Sequence, residues 1–209
     1  MREEAPPAHN VGYVAVTHDR SDAQRHFGDT LAISRHRSSS TRDTVQVTAF
    51  AMRSARNDDS EGIARAHSAA WRAAFTFLPE TFLEALTPDA VVSKWRRDLA
   101  DPASSLFVAT RGEWLGGFLQ LAHANAEVMS LYVDPSVWRI GVGSMLLTYG
   151  ESILADRGEP SALLWTARDS SQSRRFYERH GWVPTGREQR QTLTSGVVLD
   201  EVEYTKALA

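Results

Sequence analysis

Between Glu127 and Trp182 the chain passes through a strand, a glycine-bearing helix start, a second strand and a second helix, an order that makes a site for a phosphate-bearing ligand. Glu127-Val128-Met129-Ser130-Leu131-Tyr132-Val133 is apolar and β-branched enough to sit inside a sheet. Asp134-Pro135 ends it, because proline cannot donate to a ladder. After Ser136–Ile140 come Gly141-Val142-Gly143-Ser144, then Met145, Leu146, Leu147, Tyr149, Ile153 and Leu154 at helical spacing. The glycines thus fall at a helix start, where unpaired N–H groups and the helix dipole favour an anion and the missing side chains let it come close. Glycines there can equally serve only the turn. A dinucleotide fingerprint would need a third glycine where Leu146 stands and an acid about 20 residues on, and Asp169 comes too late. A triphosphate loop would need Gly-Lys-Ser/Thr, and the chain's only lysines are Lys94 and Lys206.

Downstream lies a second motif, Ser170-Ser171-Gln172-Ser173-Arg174-Arg175-Phe176-Tyr177-Glu178-Arg179-His180-Gly181-Trp182. Taken together, the two segments resemble the Gcn5-related N-acetyltransferase (GNAT) family in order, spacing and residue type. The family's acetyl-CoA motif, Gln/Arg-x-x-Gly-x-Gly/Ala, lies on Trp138-Arg139-Ile140-Gly141-Val142-Gly143, with Trp138 in place of the usual Gln or Arg. Its later Asn-x-x-Ala-x-x-Phe-Tyr-x-x-x-Gly-Phe frame keeps Phe176, Tyr177 and Gly181, with Ser170 and Ser173 replacing Asn and Ala.

The resemblance implies an α/β (α+β) fold with a mixed, largely antiparallel sheet flanked by helices, and acetyl-CoA as cosubstrate with no metal. It implies that the backbone of Leu131, Tyr132 and Val133 binds the pantetheine arm and polarises the thioester. The diphosphate would lie on Arg139, Ile140, Gly141, Val142, Gly143 and Ser144, with Ser170 and Ser173 also on the cofactor. Tyr177 would protonate the departing thiolate, its alternative being an ordinary packed aromatic beside Phe176. Glu127 would draw off the amine's proton, the alternative being a solvated carboxylate with a water chain doing that work; His123, in the preceding turn, is a lesser candidate. Acceptor choice in this family rests on the first helices and late β loops, so Trp71, Phe75, Phe77, Trp95 and residues 189–195 are candidate lining. Trp71 and Trp95 also fall on apolar helix faces, where aromatic side chains commonly serve as core.

The chain has 209 residues, 42% of them hydrophobic, enough for one well-filled core. A net charge of −3 gives neither a nucleic-acid footprint nor an acidic tail. There is no cysteine, so disulfides, thiolate metal sites and a cysteine acyl carrier are excluded and acyl transfer must be direct or use another nucleophile. Without a long apolar run or an apolar leader core, neither membrane nor export is indicated and a cytoplasmic location is expected.

Residues 1–45 hold Pro6-Pro7, the run Ser38-Ser39-Ser40 and four of the seven histidines, with little periodicity, and read as a loosely ordered extension before a single domain at 46–209. Their histidines share no metal-ligand spacing. From Val45 a strand is expected through Arg53. Asn57–Glu61 then supplies capping side chains for a helix carrying Ile63, Ala66, His67, Ala70, Trp71 and Ala74. A helical pair opens at Pro79 and Thr87-Pro88, and a hairpin turns at Arg111-Gly112-Glu113. A strand over 162–166 and a closing β region from Gly181 to Tyr204 complete the order β-α-α-β-β-β-α-β-α-β-β. The expected activity is acetyl transfer to a primary amine of a small molecule or protein. The alternative is a non-catalytic acyl-CoA-binding or partner-binding module on the same fold. Relatives often pair through sheet edges, so a homodimer is a further implication of the resemblance.

Overall fold

The computed structural model describes residues 49–193 and 196–208, without the side chain of Ala85. The expected extension and the first half of the expected first strand therefore lie outside the described residues. The strands are β1 (Ala51–Ser54), β2 (Ser104–Arg111), β3 (Trp114–Ala122), β4 (Glu127–Val133), β5 (Ser161–Ala167), β6 (Val183–Thr192) and β7 (Val198–Ala207). The helices are α1 (Ser60–Ala74), α2 (Glu80–Ala85), α3 (Pro88–Leu99), α4 (Val142–Asp156) and α5 (Ser171–Arg179). The elements follow the expected order, with the helical pair present as α2 and α3. The strands form one sheet in the order β1-β2-β3-β4-β5-β7-β6, antiparallel throughout except between β4 and β5.

Each helix lies on the face that its apolar stripe dictates. On one side α4 and α5 bring Leu146, Leu147, Phe176 and Tyr177 onto Leu119, Leu121, Leu131 and Val133 of the central strands. Helix and sheet approach closely at Gly150, where an added Cβ would come within 2.4 Å of Leu119 Cδ2. On the other side α1 and α3 bring Ile63, Trp71, Phe75, Val91 and Trp95 onto Leu106, Phe118 and Tyr132. The capping expected of the 57–61 segment takes another form. Asp59 accepts from Nη1 and Nη2 of Arg53 at 2.7 and 2.8 Å and from the Arg56 amide at 2.6 Å, which fastens the start of α1 to β1.

A titratable side chain lies inside the α1–α3 layer. His67 is 6% exposed, accepts Trp95 Nε1–H on Nδ1 at 3.3 Å and sits 4.7 Å from the Tyr132 ring. Burial pushes its pKa well below the ordinary value, and the charge of nearby Lys94 acts in the same direction. The folded protein thus keeps His67 neutral while the unfolded chain takes up a proton below about pH 6.5. Its contribution is complete above that pH and is lost as the pH falls. The wild type should accordingly lose more thermal stability between pH 7 and pH 5 than His67→Gln, which retains an acceptor but cannot titrate. Melting curves with the same pH dependence in both proteins would remove His67 from the acid limb.

Candidate active site

The sheet is split at its centre. β4 and β5 run side by side in parallel but pair only at Glu127 and Leu163, where the Leu163 amide donates to Ala126 O at 3.2 Å. Beyond that rung β4 continues to Val133 and β5 to Ala167 without a further pair. The direction of the β4 backbone follows from one bond. Asp134 N–H donates to Gly116 O of β3 at 2.8 Å, and the carbonyl of the same trans peptide, that of Val133, must point the opposite way, into the open seam. The period of two then directs the N–H and C=O of Leu131 and the N–H of Val133 to the same side. Tyr132 O faces β3, where it would stand 2.8 Å from a Cβ added at Gly117.

The chain leaves β4 directly into the glycine turn. Asp134 accepts from the Ser136 amide at 3.0 Å and hydroxyl at 2.6 Å, closing a 3₁₀ turn over Pro135–Val137. Arg65 of α1 braces this corner, with Nη1 on Asp134 Oδ2 at 2.7 Å and Nη2 on Leu115 O at 2.6 Å. Arg139 (φ 69°) and Gly141 (φ 93°) are left-handed, a conformation that glycine adopts freely and arginine only under strain. Helical bonding starts with Met145 N–H to Gly141 O at 3.0 Å, so the amides of Val142, Gly143 and Ser144 precede it at the positive end of α4. The seam and this turn adjoin at Val133, and Trp138 joins them: its Nε1–H donates to Val133 O at 2.7 Å.

A β-bulge decides where Glu127 points. The β3–β4 register advances from Gln120↔Ser130 to Leu121↔Val128, leaving Met129 as the extra residue. Val128 thereby rejoins Leu131 and Val133 on the α4 side, and Glu127 turns to the α1 side with Ser130 and Tyr132. It is 5% exposed and accepts Asn125 Nδ2 at 2.7 Å. The same alternation sets Trp165 of β5 and Glu201 and Glu203 of β7 on that face. Glu201 is bonded by Gln189 at 2.8 Å and Glu203 by Arg187 at 2.9 Å. His123 meets Ser105 Oγ at 2.8 Å and Arg157 at 3.3 Å, at the far end of α4.

Tyr177 is fully buried on the α4–α5 side, among Phe176, Trp182 and Tyr204 at ring separations of 5.5, 6.0 and 6.3 Å. Burial pushes its phenol well above the ordinary range, and Tyr132 adds to the shift, so the group holds its proton. Ser170 accepts from the Ser173 amide at 3.3 Å as the N-cap of α5 and lies 2.8 Å from the Ser173 hydroxyl. Trp71, Phe75 and Trp95 are 4%, 0% and 1% exposed and fill the layer beneath α1 and α3. Phe77 is 41% exposed; of the late segment, Thr194 and Ser195 lie outside the described residues.

Arg65, Thr166 and His180 were not singled out by the sequence reading. Thr166 Oγ1 is fully buried with no partner among the described residues, on the strand that borders the seam. His180 donates from Nδ1 to Phe176 O at 2.7 Å, which leaves Nε2 to accept from Ser144 Oγ at 2.9 Å and ties α5 to the first turn of α4. The His-Gly pair before Trp182 was the available signal.

A sheet opened at its one parallel pair, with a glycine-turned helix at the mouth, defines an acyltransferase architecture, and comparison agrees. The profile of the acetyltransferase (GNAT) family matches residues 66–182, and the chain belongs to that family. Over 87 residues it is 39% identical to the mycothiol acetyltransferase of Streptomyces scabiei, a match spanning 40% of this chain and 28% of that protein. A GCN5-related N-acetyltransferase structure from Rhodopseudomonas palustris superposes with a TM-score of 0.63 at 22% identity, covering 79% of this chain and 99% of that one. PaiA N-acetyltransferase from Thermoplasma acidophilum, solved in complex with coenzyme A, gives 0.59 at 18% identity, with 76% and 99% covered. At these identities the structural likeness is one of fold.

Proposed function

We propose that the protein is an acetyl-CoA-dependent N-acetyltransferase that moves the acetyl group directly to a primary amine. The observation that carries this is the seam. A flexible chain with amide groups can bond the outward edge of Leu131 and Val133 as an added strand would, and its diphosphate then meets the amides of residues 139–144. The partnerless Thr166 hydroxyl on β5 offers the same arm a bond from the other side.

In this reading the Leu131 N–H polarises the thioester carbonyl and holds the oxyanion formed when the amine nitrogen attacks. As the carbon–sulfur bond breaks, the electron pair goes to sulfur, which takes the Tyr177 proton. The amine's surplus proton leaves toward Glu127, directly or through water, and Tyr177 recovers its own through solvent. The products are an amide and coenzyme A. Three buried carboxylates, Glu127, Glu201 and Glu203, share the face from which an acceptor would enter, which suits an acceptor that arrives as an ammonium ion and releases one proton to water before its nitrogen attacks.

Calorimetry with acetyl-CoA, followed by thiol release over amino acids, amino sugars, polyamines, aminoglycosides and short peptides, tests the proposal. Binding with turnover of at least one amine class is expected. Binding without turnover of any would favour a non-catalytic acyl-CoA module, and absence of binding would remove both.

A further inference from the structure

The residue that departs most from the family's cofactor motif stands at the mouth of the seam. Trp138 follows a 3₁₀ turn that folds it back onto the end of β4, where its Nε1–H reaches Val133 O at 2.7 Å. That carbonyl is the last one on the open edge of β4. Trp138 is partly buried and packs against the hydrophobic cores of both sheet faces. An indole meeting both cores at the end of β4 stands beside the open end of the seam. Its bond also changes what the edge offers: the N–H and C=O of Leu131 and the N–H of Val133 face the seam, while the Val133 carbonyl already has a donor. Glutamine at this position would reach less far and leave the mouth open; arginine would bring charge to it.

We propose that Trp138 is a positioning residue for the cofactor arm, fixing how deeply it enters by walling the mouth and by withholding the Val133 carbonyl so that an arm amide must donate to Leu131 instead. This rests on the coenzyme A reading above. It assigns the tryptophan to the pantetheine segment, whereas the nucleotide end remains with the turn at residues 139–144.

The comparison that decides it sets coenzyme A against adenosine 3′,5′-bisphosphate, which has the nucleotide end without the arm, on the wild type and Trp138→Phe. The phenyl ring keeps most of the packing and loses the donor. Coenzyme A affinity should fall about fivefold to tenfold, the cost to an arm that loses packing at the mouth and can settle on the freed Val133 carbonyl instead of Leu131, and bisphosphate affinity should not change. In turnover assays the KM for acetyl-CoA should rise with kcat little altered. Equal loss for both ligands would make Trp138 a prop for the turn only, and unchanged or tighter coenzyme A binding would remove the role; each outcome overturns the proposal. If the wild type itself binds no coenzyme A, the functional reading falls and this one with it. Should Trp138→Phe not fold, the wild type labelled with 5-fluorotryptophan serves. Coenzyme A must shift an indole fluorine resonance that the bisphosphate leaves in place, and identical spectra with the two ligands would overturn the assignment.

Discussion

Replacing Tyr177 with phenylalanine should lower turnover about 100-fold while acetyl-CoA affinity stays within about threefold, the pattern left when a proton donor is lost but binding is retained. Its ring is fully buried, and phenylalanine fills the same space, so the substitution isolates the hydroxyl. Burial has already raised the phenol's pKa, which keeps the donor charged with its proton through neutral and mildly alkaline pH. The sign follows directly. A group that acts protonated and titrates late should give the wild type no alkaline loss of kcat from this source below about pH 10. The same raised value adds stability that fades above that pH, where the unfolded chain ionises first. If stopped-flow thiol release shows Tyr177→Phe turning over like the wild type, Tyr177 is a packed aromatic and the acid is elsewhere.

The second large effect is expected at Gly141. Its left-handed conformation makes any side chain strained by about 1–2 kcal/mol, and a Cβ there would meet nothing within 4 Å in the protein itself. The open space is where the proposed diphosphate would lie. Gly158, at the other end of α4, has the same properties (φ 83°, nothing within 4 Å) and no connection with the seam. Gly141→Val and Gly158→Val should therefore lose comparable stability, while coenzyme A affinity drops about 100-fold or more for the first and holds for the second. Calorimetry on the pair separates strain from ligand exclusion. Equal affinities would show that the anion is not bound at this turn.

Where one face or one residue type decided the outcome, the architecture was readable before any coordinates. β4 spans the residues that its apolar run and the Asp134-Pro135 stop delimit, and α4 begins at the glycines. The hairpin, the helical pair and the last two strands also follow from periodicity and turn residues. What escaped depends on register and on distant partners. A period-two reading from Leu131 sends Glu127 to the α4 side; only the unpaired Met129, visible in the β3 register, reverses it. Nothing local says that Trp138 will bond Val133, that Arg65 will cross from α1 to Asp134, or that Ser170 will spend its hydroxyl on a helix cap. His67 sat on a stripe otherwise apolar, and its meaning required the tryptophan of another helix. On the acceptor side the apolar helix faces already marked Trp71 and Trp95 as candidate core, and both lie buried with Phe75 in the α1–α3 layer.

The single rung between β4 and β5 has a mechanical side. With no ladder beyond Glu127 and Leu163, the two halves of the sheet are held together across the gap by side-chain packing on both faces, and such packing yields more readily than a row of backbone bonds. An occupant of the gap that bonded both edges would stitch the halves into one continuous sheet. Its binding free energy would then appear as added resistance to unfolding, by the ordinary coupling of ligand binding to the native state.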